Sequence, residues 1–299
     1  MNENKPKIIT VVGPTASGKS DIAVLIAKEI NGEVISADSR QVYKGMDIGT
    51  GKVTEEEKGG VPHYLLDVEY PRNVFTVSDF KILAEKAIAQ ILTSEKTPII
   101  CGGTGLYVQA VIDDMSIPEV PPNKELRKEL SKKTPEELFI ILDKLDPRRS
   151  QNIDPKNPVR LIRAIEIAKA LGVVPELKKD SNKFNILEIG LLPEMENLKE
   201  RIKKRLLKRI DAGMFSEVEK LKKSGVSWKR LDELGLEYRY VAKYLQGELS
   251  KEEMIEKLNS EIVKYAKRQM TWFKKDKRIK WFKPEETEKI LEQVTKFTK

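Results

Sequence analysis

Hydrophobic positions change period several times along the chain, and each change marks an element. Ile8-Ile9-Thr10-Val11-Val12 is a nearly unbroken apolar run, the pattern of a strand buried on both faces. From Asp21 to Ile30, Ile22, Leu25 and Ile26, with Ala23, Ala27 and Ile30, fall at helical spacing until Asn31-Gly32 stops them. Glu33 to Ala37 reads as a short strand and Pro62 to Val68 as another. Val77 to Leu92 reads as a helix with Phe80, Leu83, Ala84, Ala87, Ile88 and Ile91 on one face, followed by a strand at Pro98-Ile99-Ile100-Cys101. Met46 to Gly60, glycine-rich and charged, predicts a loop without a core of its own.

The texture changes near Ser116. Ile117-Pro118-Glu119-Val120-Pro121-Pro122 is a stiff linker, and the charged helical patterns Lys124 to Lys132, Pro135 to Leu145 and Val159 to Leu171 follow it without strand signals. Ile186 to Leu192 returns to a strand pattern. Beyond it Leu198, Ile202, Leu206 and Ile210 keep i,i+4 spacing, which predicts a helix packing that stripe on the sheet and carrying Arg201, Arg205 and Lys208 on another. The C-terminal third reads as helical. The expected fold is α/β: a P-loop NTPase-like parallel sheet core begun over 1–116, a helical insertion domain over 117–183, and a helical C-terminal region over 184–299 that completes the core.

With 39% hydrophobic residues in 299, the chain can bury a sizeable core. No run approaches the roughly 18 apolar residues of a membrane span, and the polar start Met1-Asn2-Glu3-Asn4-Lys5 is unlike a signal peptide, so the expectation is a cytoplasmic protein. One cysteine, Cys101, rules out an intrachain disulfide, and one histidine, His63, rules out a histidine-rich zinc site, leaving Mg²⁺ on oxygen ligands as the expected metal. A lone histidine more often serves structure than substrate. The net charge of +8 is uneven: from Lys199 to Lys283 there are 25 Lys and Arg against 13 Asp and Glu. A solvated helical surface accounts for any one basic run, but a regional excess of this size points toward RNA or DNA.

The chemistry concentrates at predicted strand ends. Gly13-Pro14-Thr15-Ala16-Ser17-Gly18-Lys19-Ser20 lies between strand and helix, where a P-loop must lie: backbone N–H groups and the helix N-terminus face an anion, Lys19 adds charge, and the Ser20 hydroxyl can ligate Mg²⁺. Asp38 closes the second strand, where it either faces that loop or caps the next turn. Gly102-Gly103-Thr104-Gly105-Leu106-Tyr107 is either a backbone-rich ligand surface or a plain strand-to-helix turn. Tyr265 to Lys275 mixes cations with aromatics, which suits single-stranded RNA, while Trp272 and Phe273 also suit an amphipathic helix face.

A P-loop chain of this size is first of all a kinase or an NTPase, yet the strand ending Cys101-Gly102-Gly103 lacks a Walker-B aspartate. A small-metabolite kinase would leave the basic third idle. The motifs Gly13 to Ser20, Asp38-Ser39-Arg40-Gln41-Val42-Tyr43-Lys44-Gly45-Met46-Asp47-Ile48-Gly49-Thr50, Gly102 to Tyr107 and Lys267-Arg268-Gln269-Met270-Thr271-Trp272-Phe273 resemble the bacterial tRNA dimethylallyltransferases, from the first strand to about Phe282. The resemblance implies transfer of a dimethylallyl group from dimethylallyl diphosphate to N6 of the adenine 3′ of the anticodon, in tRNAs reading U-initial codons.

By that resemblance Lys19, Mg²⁺ on Ser20 and Arg205 neutralise the leaving diphosphate, Thr104 hydrogen-bonds it, and Asp38 is the general base. It also implies tRNA contacts by Asp38, Ser39, Arg40, Gln41, Thr104, Arg127, Arg160, Arg163, Arg239, Lys267 and Arg268, with the RNA gripped between core and insertion by a monomeric chain. Ser20 stands where the family more often has Thr, Gly51 where Ala is usual, and Asp154 where His is frequent. None removes a group the reaction needs. The competing readings are a P-loop small-metabolite kinase and a non-catalytic RNA-binding P-loop protein.

Overall fold

The computed structural model describes residues 5–176 and 183–299. Cα packing divides the chain into two compact units, Met1–Asp114 with Asp180–Lys299, and Met115–Lys179. In the first unit β1 (Lys7–Val12) is followed by α1 (Lys19–Ile30), β2 (Gly32–Ser36), the single-turn α2 (Glu55–Lys58), β3 (His63–Tyr64), α3 (Val77–Thr93), β4 (Thr97–Gly102) and α4 (Gly105–Ile112). The second unit holds α5 (Lys124–Leu130), α6 (Pro135–Leu145), α7 (Pro147–Ser150) and α8 (Pro158–Leu171). The first resumes with β5 (Asn185–Leu191), α9 (Met195–Asp211), α10 (Met214–Lys223), α11 (Trp228–Leu234), α12 (Leu236–Leu245), α13 (Lys251–Phe273), β6 (Lys280–Phe282) and α14 (Thr287–Thr298).

The six strands form one sheet in the order β3-β2-β4-β1-β5-β6, with every pairing parallel. Both faces are covered, which is why the inner strands read as continuous apolar runs. Ile8 and Val12 pack toward α3 and α4, while Ile9 and Val11 pack toward α1 and α14. All strands point the same way, so the loops after β1, β2 and β4 emerge together at the carboxyl edge, where open α/β sheets bind ligands.

A third apolar cluster joins Leu198, Ile202 and Leu206 of α9 to Val218, Val241, Met254, Leu258 and Ile262 in the C-terminal helices. The apolar stripe of α9 therefore packs on other helices and not on the sheet, because α10 to α13 present apolar stripes of their own that bury it. The second unit has its own core, with Leu138, Leu142, Leu161 and Ile165 fully buried. Each such burial is worth roughly 1.5–3 kcal/mol.

Three sequence expectations change. The C-terminal third contains a strand, β6, whose Lys280 to Phe282 pair with Ile189 to Leu191; three residues are too few to carry a period. The strand expected over Pro62 to Val68 shrinks to His63–Tyr64, because Leu65 (φ +64) and Asp67 (φ +56) turn left-handed. The loop from Met46 to Gly60 includes α2, closed by a capping box between Thr54 and Glu57.

β6 is reached through an ion cluster. Arg278 contacts Asp113 (2.7 Å), Glu188 on β5 (2.9 Å) and Asp276 (2.6 Å). Burial pushes the Glu188 carboxyl from 4.5 up to about 7, and the negative Asp276 and Asp113 add to the shift that Arg278 opposes. The folded protein thus binds more protons than the unfolded chain between those two values, so this contribution to stability declines as pH rises through that interval. Glu188→Gln is expected to flatten the pH dependence of the urea midpoint between pH 4.5 and 7. Parallel curves for the variant and the parent would contradict it.

Candidate active site

The P-loop is shaped by backbone before side chains. Ala16 (φ +62) and Gly18 (φ +85) are both left-handed, and Ser17 donates its N–H to the Pro14 carbonyl (3.3 Å). Such alternation turns successive N–H groups inward, and α1 starting at Lys19 adds its N-terminal N–H groups. A left-handed alanine costs on the order of 1–2 kcal/mol. Ala16 is packed into the helical cluster of α9 to α13, which offsets that strain.

Two cavities open at this edge. One, about 370 Å³, is bounded by the P-loop, Asp38, Gln41, Arg201, Lys204 and Arg205. The other, about 310 Å³, is bounded by Asp38, Ser39, Arg40, Tyr265 and Arg268, together with Gly235 to Tyr240. Thr15, Lys19, Asp38 and Thr50 border both.

The first cavity is cationic. Burial holds the Lys19 amine below its usual value of 10.5, and Arg205 and Arg209 push it further while Cys101 and Asp38 oppose. The Arg205 guanidinium is drawn down to about 10, by burial first and then by Arg209. Arg205 is exposed by surface area yet borders the cavity beside Lys19, whose charge it opposes. The stripe of α9 that serves the site is Arg201, Lys204, Arg205 and Arg209; Lys208, grouped with them from the sequence, borders neither cavity. Cys101 and His63 also border the first cavity; burial pushes the thiol up to about 11 and draws the imidazole below its usual value. His63 Nδ1 lies 2.8 Å from the Val61 carbonyl, so it is both wall and loop support.

The loop after β2 is suspended by buried groups that periodicity does not reveal. Glu217 of α10 accepts N–H bonds from Asp47 (2.8 Å), Ile48 (2.6 Å) and Gly49 (2.9 Å), and the Tyr238 hydroxyl donates to it at 2.8 Å. Arg209 donates to the Gly49 and Thr50 carbonyls and to Glu237 (3.1 Å). One carboxylate thus satisfies the donors of Asp47-Ile48-Gly49 and one guanidinium the acceptors beside them. A Cβ on Gly51 would meet the Arg209 guanidinium, so the alanine usual in the family would require that flexible side chain to shift.

Asp38 fulfils both readings of its position. Its Oδ1 accepts from Arg40 N (2.8 Å) and Gln41 N (3.4 Å), capping the turn, while its side chain borders both cavities. Ser39 donates its N–H to Thr104 Oγ1 (3.1 Å), which ties the loops after β2 and β4 together. Ser39 and Arg40 border the second cavity, whereas Gln41 turns to the first, donating to the Gly51 carbonyl (3.2 Å). Gln269 has no role that the sequence pattern reveals, yet it accepts from Thr15 N (2.8 Å) and donates to the Gly103 carbonyl (2.9 Å). On the same helix Arg268 borders the second cavity and Lys267 is exposed; Trp272 and Phe273 pack into the sheet-face cluster. Arg239 borders the second cavity and pairs with Asp232 (3.0 Å).

The chain has extensive relatives. A family model described as IPP transferase matches residues 41–276. The tRNA dimethylallyltransferase of Anoxybacillus flavithermus is 40% identical over 92% of this chain and 90% of its own length. The chain belongs to the tRNA dimethylallyltransferase family. A second relative, tRNA dimethylallyltransferase 2 of Treponema denticola, is 45% identical over 91% of this chain and 93% of its own. The crystal structure of tRNA isopentenylpyrophosphate transferase from Bacillus halodurans superposes with a TM-score of 0.75 at 36% identity, covering 98% of this chain and 97% of that one. A eukaryotic dimethylallyltransferase, described as acting on tRNA, gives a TM-score of 0.74 at 25% identity over 90% of this chain and 70% of that one. Membership of this prenyltransferase family sets aside the kinase and the non-catalytic readings.

In the second unit, by itself, the three arginines expected to contact RNA differ. Arg127 makes a two-pronged pair with the buried Glu166 (2.7 Å twice), and Arg163 lies 3.4 Å from the same carboxylate. Removing Arg127 would leave the buried carboxylate only the Asn123 N–H and Arg163, so Arg127 also holds the unit together. Arg160 is exposed.

For a metal, the donors at hand are the Ser20 hydroxyl and the carboxylates of Asp21, Asp38 and Glu57 around the first cavity. Among the described residues no group of three or more His, Cys, Asp or Glu is arranged to hold an ion. That donor set fits Mg²⁺, which commonly takes one or two protein oxygens and completes its shell with phosphate and water.

Because an anion in the first cavity favours the protonated forms of Lys19 and Arg205, inorganic diphosphate is expected to bind with proton uptake by the protein near pH 10, and to weaken as pH rises through that value. Calorimetry in buffers of different ionisation heat checks this. Arg205→Ala should reduce both affinity and uptake, and binding unchanged as pH rises through about 10 would contradict the assignment.

Proposed function

We propose that this chain transfers the dimethylallyl group from dimethylallyl diphosphate to N6 of the adenine 3′-adjacent to the anticodon of tRNAs reading U-initial codons, releasing diphosphate. The observation that carries the reading is the shared wall: Lys19, Asp38, Thr15 and Thr50 stand between a cationic cavity and one bounded by tyrosines and arginines. An allylic diphosphate in the first and an unstacked adenine in the second would meet at Asp38. Taking a base out of its stack is the usual requirement for chemistry on it.

The adenine amine is a weak nucleophile, since its lone pair is delocalised into the ring. The C–O bond to diphosphate therefore breaks as positive charge develops on the allylic carbon, and the N6–C bond forms on that carbon. Lys19, Arg205 and the P-loop N–H groups bind the departing charge, which is where most of the barrier lies. Mg²⁺ held at Ser20 would add neutralising charge to the same oxygens. The Asp38 carboxylate accepts the proton that N6 loses and, anchored through Oδ1 by Arg40 N and Gln41 N, arrives already oriented. The basic surface beyond Lys199, including the exposed Lys267, Lys274 and Lys275, would hold the tRNA backbone.

Mass spectrometry of tRNA nucleosides after incubation with dimethylallyl diphosphate tests the reading; a prenylated adenosine with equimolar diphosphate is expected, and an unmodified digest would sink it. Asp38→Ala is expected to slow turnover by roughly 10²–10⁴-fold with little change in tRNA affinity. Wild-type rates in that variant would remove Asp38 from the chemistry. Lys274→Ala/Lys275→Ala should weaken all tRNAs alike and flatten the slope of log affinity against log salt by somewhat less than about one unit per lost contact. An unchanged slope would move the backbone footprint elsewhere.

A further inference from the structure

We propose that Gln269 is a positioning residue that sets the spacing between the P-loop and the Thr104 loop and links the long helix α13 to both. The inference rests on the transferase reading above. Gln269 is buried, and its one amide faces two loops: Oε1 accepts from Thr15 N (2.8 Å) and Nε2 donates to the Gly103 carbonyl (2.9 Å). A primary amide carries an acceptor and a donor side by side, so it can accept from one loop and donate to the other at once. A carboxylate would accept alone and a leucine would do neither.

The two loops carry opposite duties. Thr15 borders both cavities, and its N–H is committed to α13 through Gln269. Gly103 precedes Thr104, whose hydroxyl holds the Ser39 N–H beside Asp38. The spacing fixed by Gln269 is therefore the spacing between the leaving-group site and the base. Tyr265 and Arg268, on the same helix, border the second cavity, so movement of α13 on engaging RNA reaches the P-loop through this side chain. Gly103 leaves room for the contact: a Cβ there would clash with Gln269 Nε2, so the amide would have to give way.

The test uses the full-length protein with tRNA and dimethylallyl diphosphate, comparing Gln269→Leu, Gln269→Glu, Gly103→Ala and the Gly103→Ala/Gln269→Leu pair. Active sites are counted by burst titration, so that a variant which merely folds poorly loses sites but keeps its rate per site. Single-turnover rates per site are expected to fall roughly 10–100-fold for each single variant, with tRNA affinity within about twofold of the parent. The double variant should be no slower than the worse single one, since both changes break one contact. Parental rates per site in Gln269→Leu, or multiplying losses in the double variant, would overturn the proposal. Should Gln269→Leu fail to fold, the rate per site of Gly103→Ala decides in its place, and a parental rate there overturns the proposal equally. Absence of prenyl transfer by the parent would refute the underlying reading instead.

Discussion

The constraint that orders this site is the gathering of Lys19, Arg205 and Arg209 around two adjoining cavities, with Lys19 bordering both, Arg205 the first and Arg209 the second. Burial and mutual repulsion draw Lys19 and Arg205 below their usual pKa values, and the Arg209 charge adds to both shifts. At an effective dielectric near 20, a charge pair at about 4 Å is worth on the order of 4 kcal/mol, against about 0–1 for an exposed ion pair. A multiply charged anion relieves several such repulsions at once. The fold must hold that repulsion ready, and Glu237 pairs with one of the three cations, Arg209.

Glu217, Glu237 and Gln269 are the counterweights. Glu217 satisfies three consecutive backbone donors of the loop after β2, and Glu237 pairs with Arg209, so the loop and the cation beside it are fixed by α10 and α12. Gln269 joins the loops after β1 and β4. Each buried group is nearly fully satisfied, and loss of one partner would leave another desolvated. The helices C-terminal to β5 thus act as a frame for loops that the sheet only delivers to the right edge.

The second unit follows the same economy on a smaller scale. Glu166 is buried and drawn below the usual carboxylate range, although burial alone would push it up, because Arg127, the Asn123 N–H and Arg163 outweigh that cost. Two arginines that read as RNA contacts are thereby also engaged in holding their own helices.

What the sequence determined by itself is what depends on local order. The apolar runs, the helical stripes, the P-loop glycines and the linker at Ile117 to Pro122 announce strands, helices, the phosphate loop and a change of texture, because periodicity and φ preferences act over a few residues. The long motif from Asp38 to Thr50 could be recognised, but its reason could not: the carboxylate that holds it lies 168 residues from Gly49. Only the tertiary structure decided that α9 packs on helices, that Arg209 and not Lys208 joins Arg205, that β6 exists, and that Gln269 reaches Thr15 across 254 residues. Such pairings depend on which surfaces meet after the chain has collapsed, and a single-residue offset on a helix turns a cation by about 100°. Local pattern fixes the parts, while the direction of each buried hydrogen bond is set by packing at a distance.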